Sequence, residues 1–362
     1  MSAMTHAVAT PRRIAGALLL AIFGVLAWQR EPAVGLAAWL AAGWFWLGTM
    51  LGLAVNARVH RLTGGRWGRL LAPVTRAWLR PVAPLLVLVV VPVVLGARWL
   101  YPWVADPHAA HGALQRAWFT PPWPLVRALA YAGACAALVH APRAGTRETP
   151  GRAAGALMAG TLLVTLLATE AVMSLTPTWS STVFGWLAAA TQWTGGAAVV
   201  VAITAANRAR RGVDRRRAAQ DLPPSREVAR VPVLRDLGNL LLMLVGVQAY
   251  LQFMQFLVIW AEDLPRETSW YLPRMAGAWG ALGAVLVAAQ AALPILALLW
   301  RRNKDDPRRL AGVAGWIVAA QALGAAWTIV PSVAAARGDL AVMPLWALAV
   351  AGMGLLLAGG SR

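Results

Sequence analysis

Residues 171–207 read AVMSLTPTWSSTVFGWLAAATQWTGGAAVVVAITAAN and contain no charged side chain. The run is longer than the roughly 20 apolar residues that a helix needs to cross the hydrocarbon core of a bilayer. Thr176-Pro177-Thr178 interrupts it, and a proline among small polar residues marks a break between helices. The stretch therefore predicts the end of one membrane-spanning helix and the whole of the next.

The composition of the full chain agrees with this interpretation. Of its 362 residues, 59% are apolar and 13% are charged, about half the charged share of a soluble domain. The formal net charge is +19, and Lys304 is the only lysine. A nucleic-acid-binding protein can be this basic, but basic cytoplasmic loops between apolar helices fit the apolar composition better. We expect a lipid bilayer around the chain and no nucleic acid as a partner.

Ten stretches are long and apolar enough, or nearly so, to cross a membrane. Arginines are concentrated between alternate pairs of them, as in the segments 58–80 and 208–235. Short cytoplasmic loops carry the excess of basic residues, so the alternation predicts an all-α, single-domain membrane protein over residues 1–362 with both termini cytoplasmic. The predicted spans are 13–29, 33–57, 81–100, 124–142, 153–175, 182–207, 234–261, 275–300, 310–333 and 340–359.

The residues that bind metals and haem are scarce. Cys135 is the only cysteine, which excludes a disulfide framework, a cluster held by this chain alone and a cysteine-based zinc site. A haem of the b type needs two histidines that face each other between helices, and no two of the five histidines fall inside predicted spans. His108 and His111 share an outside loop in which Asp106 is the only acidic or cysteine neighbour. We therefore predict no metal site.

Glu170 is the only carboxylate well inside a predicted span. Burying a carboxylate in hydrocarbon costs several kcal/mol, so such a group faces a cavity, pairs with a base or keeps its proton. Two interpretations remain open. Glu170 either exchanges protons, or it pairs near the membrane surface with an arginine such as Arg98 or Arg127.

Gln248, Gln252 and Gln255 form a polar stripe on the seventh predicted span, because their spacing of four and three residues places them on one helix face. Tyr250 lies nearby but off the stripe. The stripe either lines a hydrated path or a quinone headgroup pocket, or it joins neighbouring helices by hydrogen bonds. The second interpretation is the more common use of glutamines in membrane helices.

Short sequence blocks follow one another in a characteristic order from about residue 44 to 331. The blocks are LTGGRWG at 62–68, LYPW at 100–103, MSL at 173–175 followed by TWSST at 178–182, DLG at 236–238, and AYL at 249–251 with the residues up to Thr268. Together they resemble the ActF-type membrane subunits of bacterial alternative complex III, a quinol:cytochrome c oxidoreductase, and the related NrfD and PsrC quinol-binding membrane anchors. The chain departs from that pattern at Glu170-Ala171, where the family has Asp-Trp, at Arg266, where it has an acid, and after His111, where it has lysine.

The resemblance implies a multi-pass protein of the bacterial inner (cytoplasmic) membrane, with spans two to five and six to nine forming two four-helix bundles and spans one and ten at the periphery. It implies no covalently bound cofactor, with a quinone as the one candidate ligand. The implied partners are a multihaem cytochrome c subunit, an iron–sulfur subunit, a sister NrfD-like membrane subunit and quinol. Outside loops around 101–123, 174–182 and 262–274 are expected to contact the redox subunits.

The expected function is therefore that of a membrane subunit of a quinol:cytochrome c oxidoreductase, contributing a quinol site, a proton route or both. One alternative is a purely structural anchor for the redox subunits. Another is a secondary transporter, which would have broken helices with charged or polar residues at the membrane midplane. The proton-route candidates are Glu170, Gln248, Gln252, Gln255 and Tyr250, and the quinol-pocket candidates are His111, Ser174 and Trp260.

Overall fold

The computed structural model describes residues 11–106, 123–140, 149–218, 231–336 and 340–359. Within these ranges the regular secondary structure is entirely helical. Seven helices are long and apolar enough to cross a membrane, and a bent pair of helices would add an eighth. The prediction of an all-α membrane protein is thus confirmed.

We label the main helices of the described residues α1 to α11. The bounds are α1 Pro11–Trp28, α2 Pro32–Thr63, α3 Arg66–Leu79, α4 Val82–Leu95, α5 Trp123–His140, α6 Pro150–Leu167, α7 Phe184–Ala218, α8 Val231–Glu262, α9 Gly277–Leu299, α10 Pro307–Ile329 and α11 Met343–Gly359. Two π-helical turns interrupt the regular geometry. One, Ala168–Val172, continues α6 towards Leu175, and the other, Ala288–Ala292, lies inside α9.

The basic segment 58–80, expected to be a cytoplasmic loop, is mostly helical. α2 continues to Thr63, and the chain turns at Gly64 and Gly65, whose φ angles of 71° and 95° favour glycine. α3 then forms because its arginines lie on an exposed face and its apolar residues on a buried one. α3 and α4 meet at 48°. The predicted span 81–100 accordingly corresponds to α4 and a separate helical turn, Ala97–Leu100.

α2 is the central helix of the fold. In an apolar stretch of 18 of its residues, 83% are buried, because the helix contacts α4, α5, α6, α7, α10 and α11. The helices α7, α8, α9 and α10 pack together as a second group, while α1 pairs with α11 at the edge. The α2–α7 seam is closest at Gly52, where an added Cβ would lie 2.0 Å from the Gln192 carbonyl oxygen. Small residues allow this approach.

Candidate functional site

A cavity of about 430 Å³ lies between α2 and the second helix group. This volume falls in the range of small-molecule sites. Its walls come from α2, α7, α8, α9, α10 and the segment 270–275. The polar side chains that line it are Thr49, Thr191, Gln192, Gln252, Gln255, Tyr271, Arg274, Gln290, Gln321 and Thr328.

Each glutamine of the predicted stripe on α8 forms a hydrogen bond with a different part of the chain. Gln248 pairs with Gln321 of α10 through reciprocal amide hydrogen bonds of 3.3 and 2.6 Å. One turn further on, Gln252 Nε2 donates to Gln290 Oε1 on α9 at 3.0 Å. The stripe therefore joins α8 to its neighbouring helices, and two of its members, Gln252 and Gln255, also line the cavity.

Gln290 takes its position from the π-helical turn of α9. Its amide donates to the Ala320 carbonyl oxygen at 3.0 Å, so the residue bridges α8 and α10. A Cβ added to Gly324 would lie 2.1 Å from Gln290 Nε2, which shows how tightly this amide is seated. π-Helical turns often occur at functional sites, and this one places a polar group inside an apolar bundle.

The far end of the stripe meets a tyrosine. Gln255 Nε2 donates to the Tyr271 hydroxyl oxygen at 3.4 Å. Tyr271 lies between α8 and α9, and burial raises the pKa of its phenol above the ordinary value. The hydroxyl therefore stays protonated at neutral pH and can donate a hydrogen bond.

Aromatic side chains and one buried arginine form the wall beside Tyr271. The Trp270 ring stacks on Trp179 with centroids 4.9 Å apart and meets Trp327 edge-on at 5.8 Å. The Arg274 guanidinium lies 3.6 Å above the Trp270 ring, and it donates to the Trp270 carbonyl oxygen at 2.6 Å and to Ser332 Oγ at 2.5 Å. The side chain is 1% exposed. The wall thus combines flat apolar surface with a fixed positive charge.

Three buried oxygen atoms of the cavity lining make no hydrogen bond with any described residue. They are Thr49 Oγ1, Gln192 Oε1 and Gln255 Oε1. A buried polar atom without a partner costs about 1–3 kcal/mol. A ligand donor that reached one of these oxygens would remove that cost.

Glu170 belongs to a separate site. Its Oε1 lies 2.6 Å from Arg127 Nε and accepts a hydrogen bond from the Tyr131 hydroxyl at 3.2 Å. The two charged side chains are 15% and 12% exposed, respectively. The structure thus has the predicted pairing with Arg127. Glu170 does not line the cavity in the described part of the chain, so it and the glutamines do not form one continuous site there.

The other predicted residues do not come together as a pocket. Ser174 is buried beside Glu170, where its hydroxyl donates to the Glu170 carbonyl oxygen. Tyr250 and Trp260 are 61% and 67% exposed on the outer face of α8. His111 lies outside the described residues. Of the quinol-pocket candidates, Ser174 and Trp260 do not line the cavity, which forms around the glutamines.

Several lining residues were missed. Gln192, Gln290 and Gln321 carry the same signal as the α8 stripe, a polar amide inside a predicted span, and a search of every span for glutamine would have found them. Arg274 and Tyr271 gave no such signal, because their segment was expected to be an outside loop. Only the folded chain shows that this segment turns inward.

No protein-family model matches the sequence, and a search of curated proteins also finds no match. In the described ranges, no three histidine, cysteine or acidic side chains come together as metal ligands. The function is therefore inferred from the cavity itself.

Proposed function

We propose that the chain is an integral membrane subunit of a quinol-oxidising respiratory complex of the alternative complex III type, and that its cavity binds the quinol headgroup. The observation that carries the proposal is that Thr49, Gln192 and Gln255, which line a cavity with aromatic walls, each have a buried side-chain oxygen without a hydrogen-bond partner among the described residues. A quinol is a flat ring with two hydroxyl donors. It fits a site that offers hydrogen-bond acceptors and aromatic faces.

The same chemistry distinguishes the reduced from the oxidised ligand. A quinol hydroxyl can donate to the amide oxygen of Gln192 or Gln255, whereas a quinone offers only acceptors and would leave these oxygens unpaired. The Tyr271 hydroxyl can serve either form. The cavity should therefore bind the quinol more tightly than the quinone.

Arg274 gives the site a role in proton loss. A positive charge in a buried wall favours a neighbouring negative charge, so it lowers the pKa of a bound hydroxyl. The ligand hydroxyl would then release its proton more readily when electrons leave. The glutamines hold the ring but do not titrate, which leaves the ligand itself as the titrating group.

Electrons must leave through partners under this proposal, since the sequence has a single cysteine and no histidine pair inside the spans. The proposed partners are a multihaem cytochrome c subunit, an iron–sulfur subunit and a sister NrfD-like membrane subunit. Segment 262–274 would contact the redox subunits. Trp270, Tyr271 and Arg274, in the second half of this segment, line the cavity, so the segment would contact both the partner subunits and the bound ligand.

The proposed topology has ten spans with both termini cytoplasmic in a bacterial inner membrane. Two shorter apolar helices, 124–140 and α11, together with the bent α3–α4 pair, would raise the seven long helices to ten. This arrangement puts the basic turn Arg301–Asp305 inside and segment 262–274 outside. The cavity would lie towards the outer face, where quinol oxidation releases protons outside.

Binding of decylubiquinol and decylubiquinone to the purified chain in lipid nanodiscs tests the proposal. We expect saturable binding with a preference of about thirtyfold for the reduced form, since one hydrogen bond contributes about 1 kcal/mol and two are involved. Gln192→Leu and Gln255→Leu should each reduce the preference, while Tyr250→Phe, on the exposed face, should leave it unchanged. No saturable binding, or a preference that survives both glutamine changes, would contradict the proposal.

A second candidate, a structural anchor without quinol chemistry, is favoured by the ion pair between Arg127 and Glu170. The pair joins α5 to the π-helical turn after α6 and makes this carboxylate part of the helix packing. In the assembled complex, a proton route through Glu170 predicts that Glu170→Gln stops proton release. The anchor predicts full quinol:cytochrome c activity and unchanged proton release in the same variant.

A further inference from the structure

The cavity reaches the surface of the second helix group. Three side chains line the cavity and are also exposed on the surface. They are Phe256 of α8, Met275 just before α9 and Val287 of α9, with exposed fractions of 37%, 60% and 71%. Ala284, between them on α9, also lines the cavity and is exposed. Side chains that belong to both the lining and the surface mark the place where the cavity opens.

The opening coincides with a gap in helix packing. α8 packs against the π-helical turn and the second half of α9, Leu293–Leu299. Close packing of the described residues does not extend to the first half, Gly277–Val287. Two helices that touch at one end and separate at the other leave a slot, and the cavity lies behind this one.

The surface around the slot is apolar. Four large apolar side chains are between 46% and 64% exposed: Phe253 and Val258 of α8, Leu272 before α9, and Val285 of α9. An exposed patch of large apolar side chains on a membrane-spanning helix belongs in the hydrocarbon of the bilayer. The polarity thus changes from glutamines at the inner wall to aliphatic side chains at the mouth.

We infer that this slot is a lipid-side entrance, through which an amphipathic ligand with a hydrocarbon tail reaches the cavity from within the bilayer. The inference rests on the proposed function and adds the side of entry and the position of the tail. The headgroup would lie against Gln252 and Gln255, and the tail would extend between α8 and the first half of α9. A ligand of this shape leaves its tail in hydrocarbon throughout, so binding does not transfer the tail into water.

Cysteine labelling tests the entrance without any quinol. In a Cys135→Ala background, Thr191→Cys places a thiol on α7, in the cavity lining. We expect a lipid-soluble maleimide to label it at least tenfold faster than a charged, membrane-impermeant one. Ala284→Trp should slow the lipid-soluble reaction at least tenfold, because the indole fills the slot. Ala281→Trp, on the same helix and exposed but not part of the lining, should change the rate less than twofold.

A second pair of variants keeps the test decisive if Ala284→Trp does not fold. Val287→Trp lies in the slot, whereas Val285→Trp lies on the exposed surface beside it. Faster labelling by the charged reagent, or equal slowing by both members of a pair, would overturn the lipid-side entrance. Labelling that follows our expectation in a chain that binds no quinol would refute the proposed function and leave the entrance standing.

Discussion

Gln248 and Gln321 face each other across α8 and α10, and the amide of each donates a hydrogen bond to the amide oxygen of the other. The pair is buried, and one turn further along α8 a second amide hydrogen bond joins Gln252 to Gln290. Amides are uncharged, so they join helices in an apolar bundle without the desolvation penalty of a salt bridge. The cavity is thus framed by the same residues that hold its walls together.

Removing one member of this pair should cost more than removing both. Gln248→Leu or Gln321→Leu leaves a buried amide unpartnered, and we expect each to lower the free energy of unfolding by about 1–3 kcal/mol. The double variant replaces both polar groups, so its loss of unfolding free energy should be smaller than that of either single variant. Unfolding of the purified chain in mixed micelles measures the cycle, and strictly additive losses would show that the pair is not coupled.

The seam between the two helix groups should not accept a methyl group at Gly52. An added Cβ would lie 2.0 Å from a backbone oxygen of α7, which cannot move aside as a flexible side chain can. We expect Gly52→Ala to lower the free energy of unfolding by about 1–3 kcal/mol or more. Gly312→Ala has open space around its Cβ and should be neutral or stabilising, by up to about 1 kcal/mol. Equal stability of the two variants would contradict the described packing.

Arg274 should not be replaceable by lysine. Its guanidinium stacks on Trp270 and donates to carbonyl and hydroxyl groups on two sides, a geometry that a single ammonium cannot reproduce. Arg274→Lys should therefore lower stability by about 1–3 kcal/mol and weaken quinol binding more than Tyr250→Phe does. Thermal unfolding and nanodisc binding give the two readouts, and a lysine variant with native values in both would remove Arg274 from the account.

The ion pair between Arg235, near the start of α8, and Asp305 should make the folding stability of the chain fall at low pH. Arg235 holds Asp305 through two hydrogen bonds of 2.9 and 2.7 Å, and these lower the pKa of the Asp305 carboxyl below its ordinary value. A carboxyl with a lowered folded-state pKa stabilises the protein above its ordinary pKa of about 3.9 and loses this effect as the pH falls through the lowered value. We expect Asp305→Asn to be less stable at pH 7 and to lose less stability between pH 5 and 2. Parallel profiles for the two proteins would contradict this role.

The extent of the helices could be predicted from the sequence where apolar residues dominate. Spans such as 234–261 and 275–300 agree with α8 and α9 within a few residues, because hydrocarbon thickness fixes how many apolar residues a helix needs. The prediction that Arg58 begins a cytoplasmic loop is wrong, because this arginine is buried and donates to the Leu138 carbonyl oxygen. A rule that treats every arginine as a loop residue cannot anticipate an arginine that caps the end of another helix.

The site was only partly predictable, for a related reason. Helical spacing placed Gln252 and Gln255 on one face correctly, since that depends on one helix alone. Their partners Gln290 and Tyr271 depend on how α9 and the preceding segment pack, which no local pattern encodes. The sequence left open whether Glu170 exchanges protons or pairs with an arginine such as Arg98 or Arg127, and only the packing of the helices shows the pairing with Arg127.

Photolabelling with an azido-quinone of decyl tail length, followed by peptide mapping of the chain in nanodiscs, shows directly whether the cavity binds quinol. We expect labels on the segment 270–275, on α8 near Gln255 and on the first half of α9, all of which an excess of unlabelled quinol suppresses. Saturable labelling of α5 and α6 around Glu170 instead, or labelling that excess quinol does not suppress, would contradict this expectation.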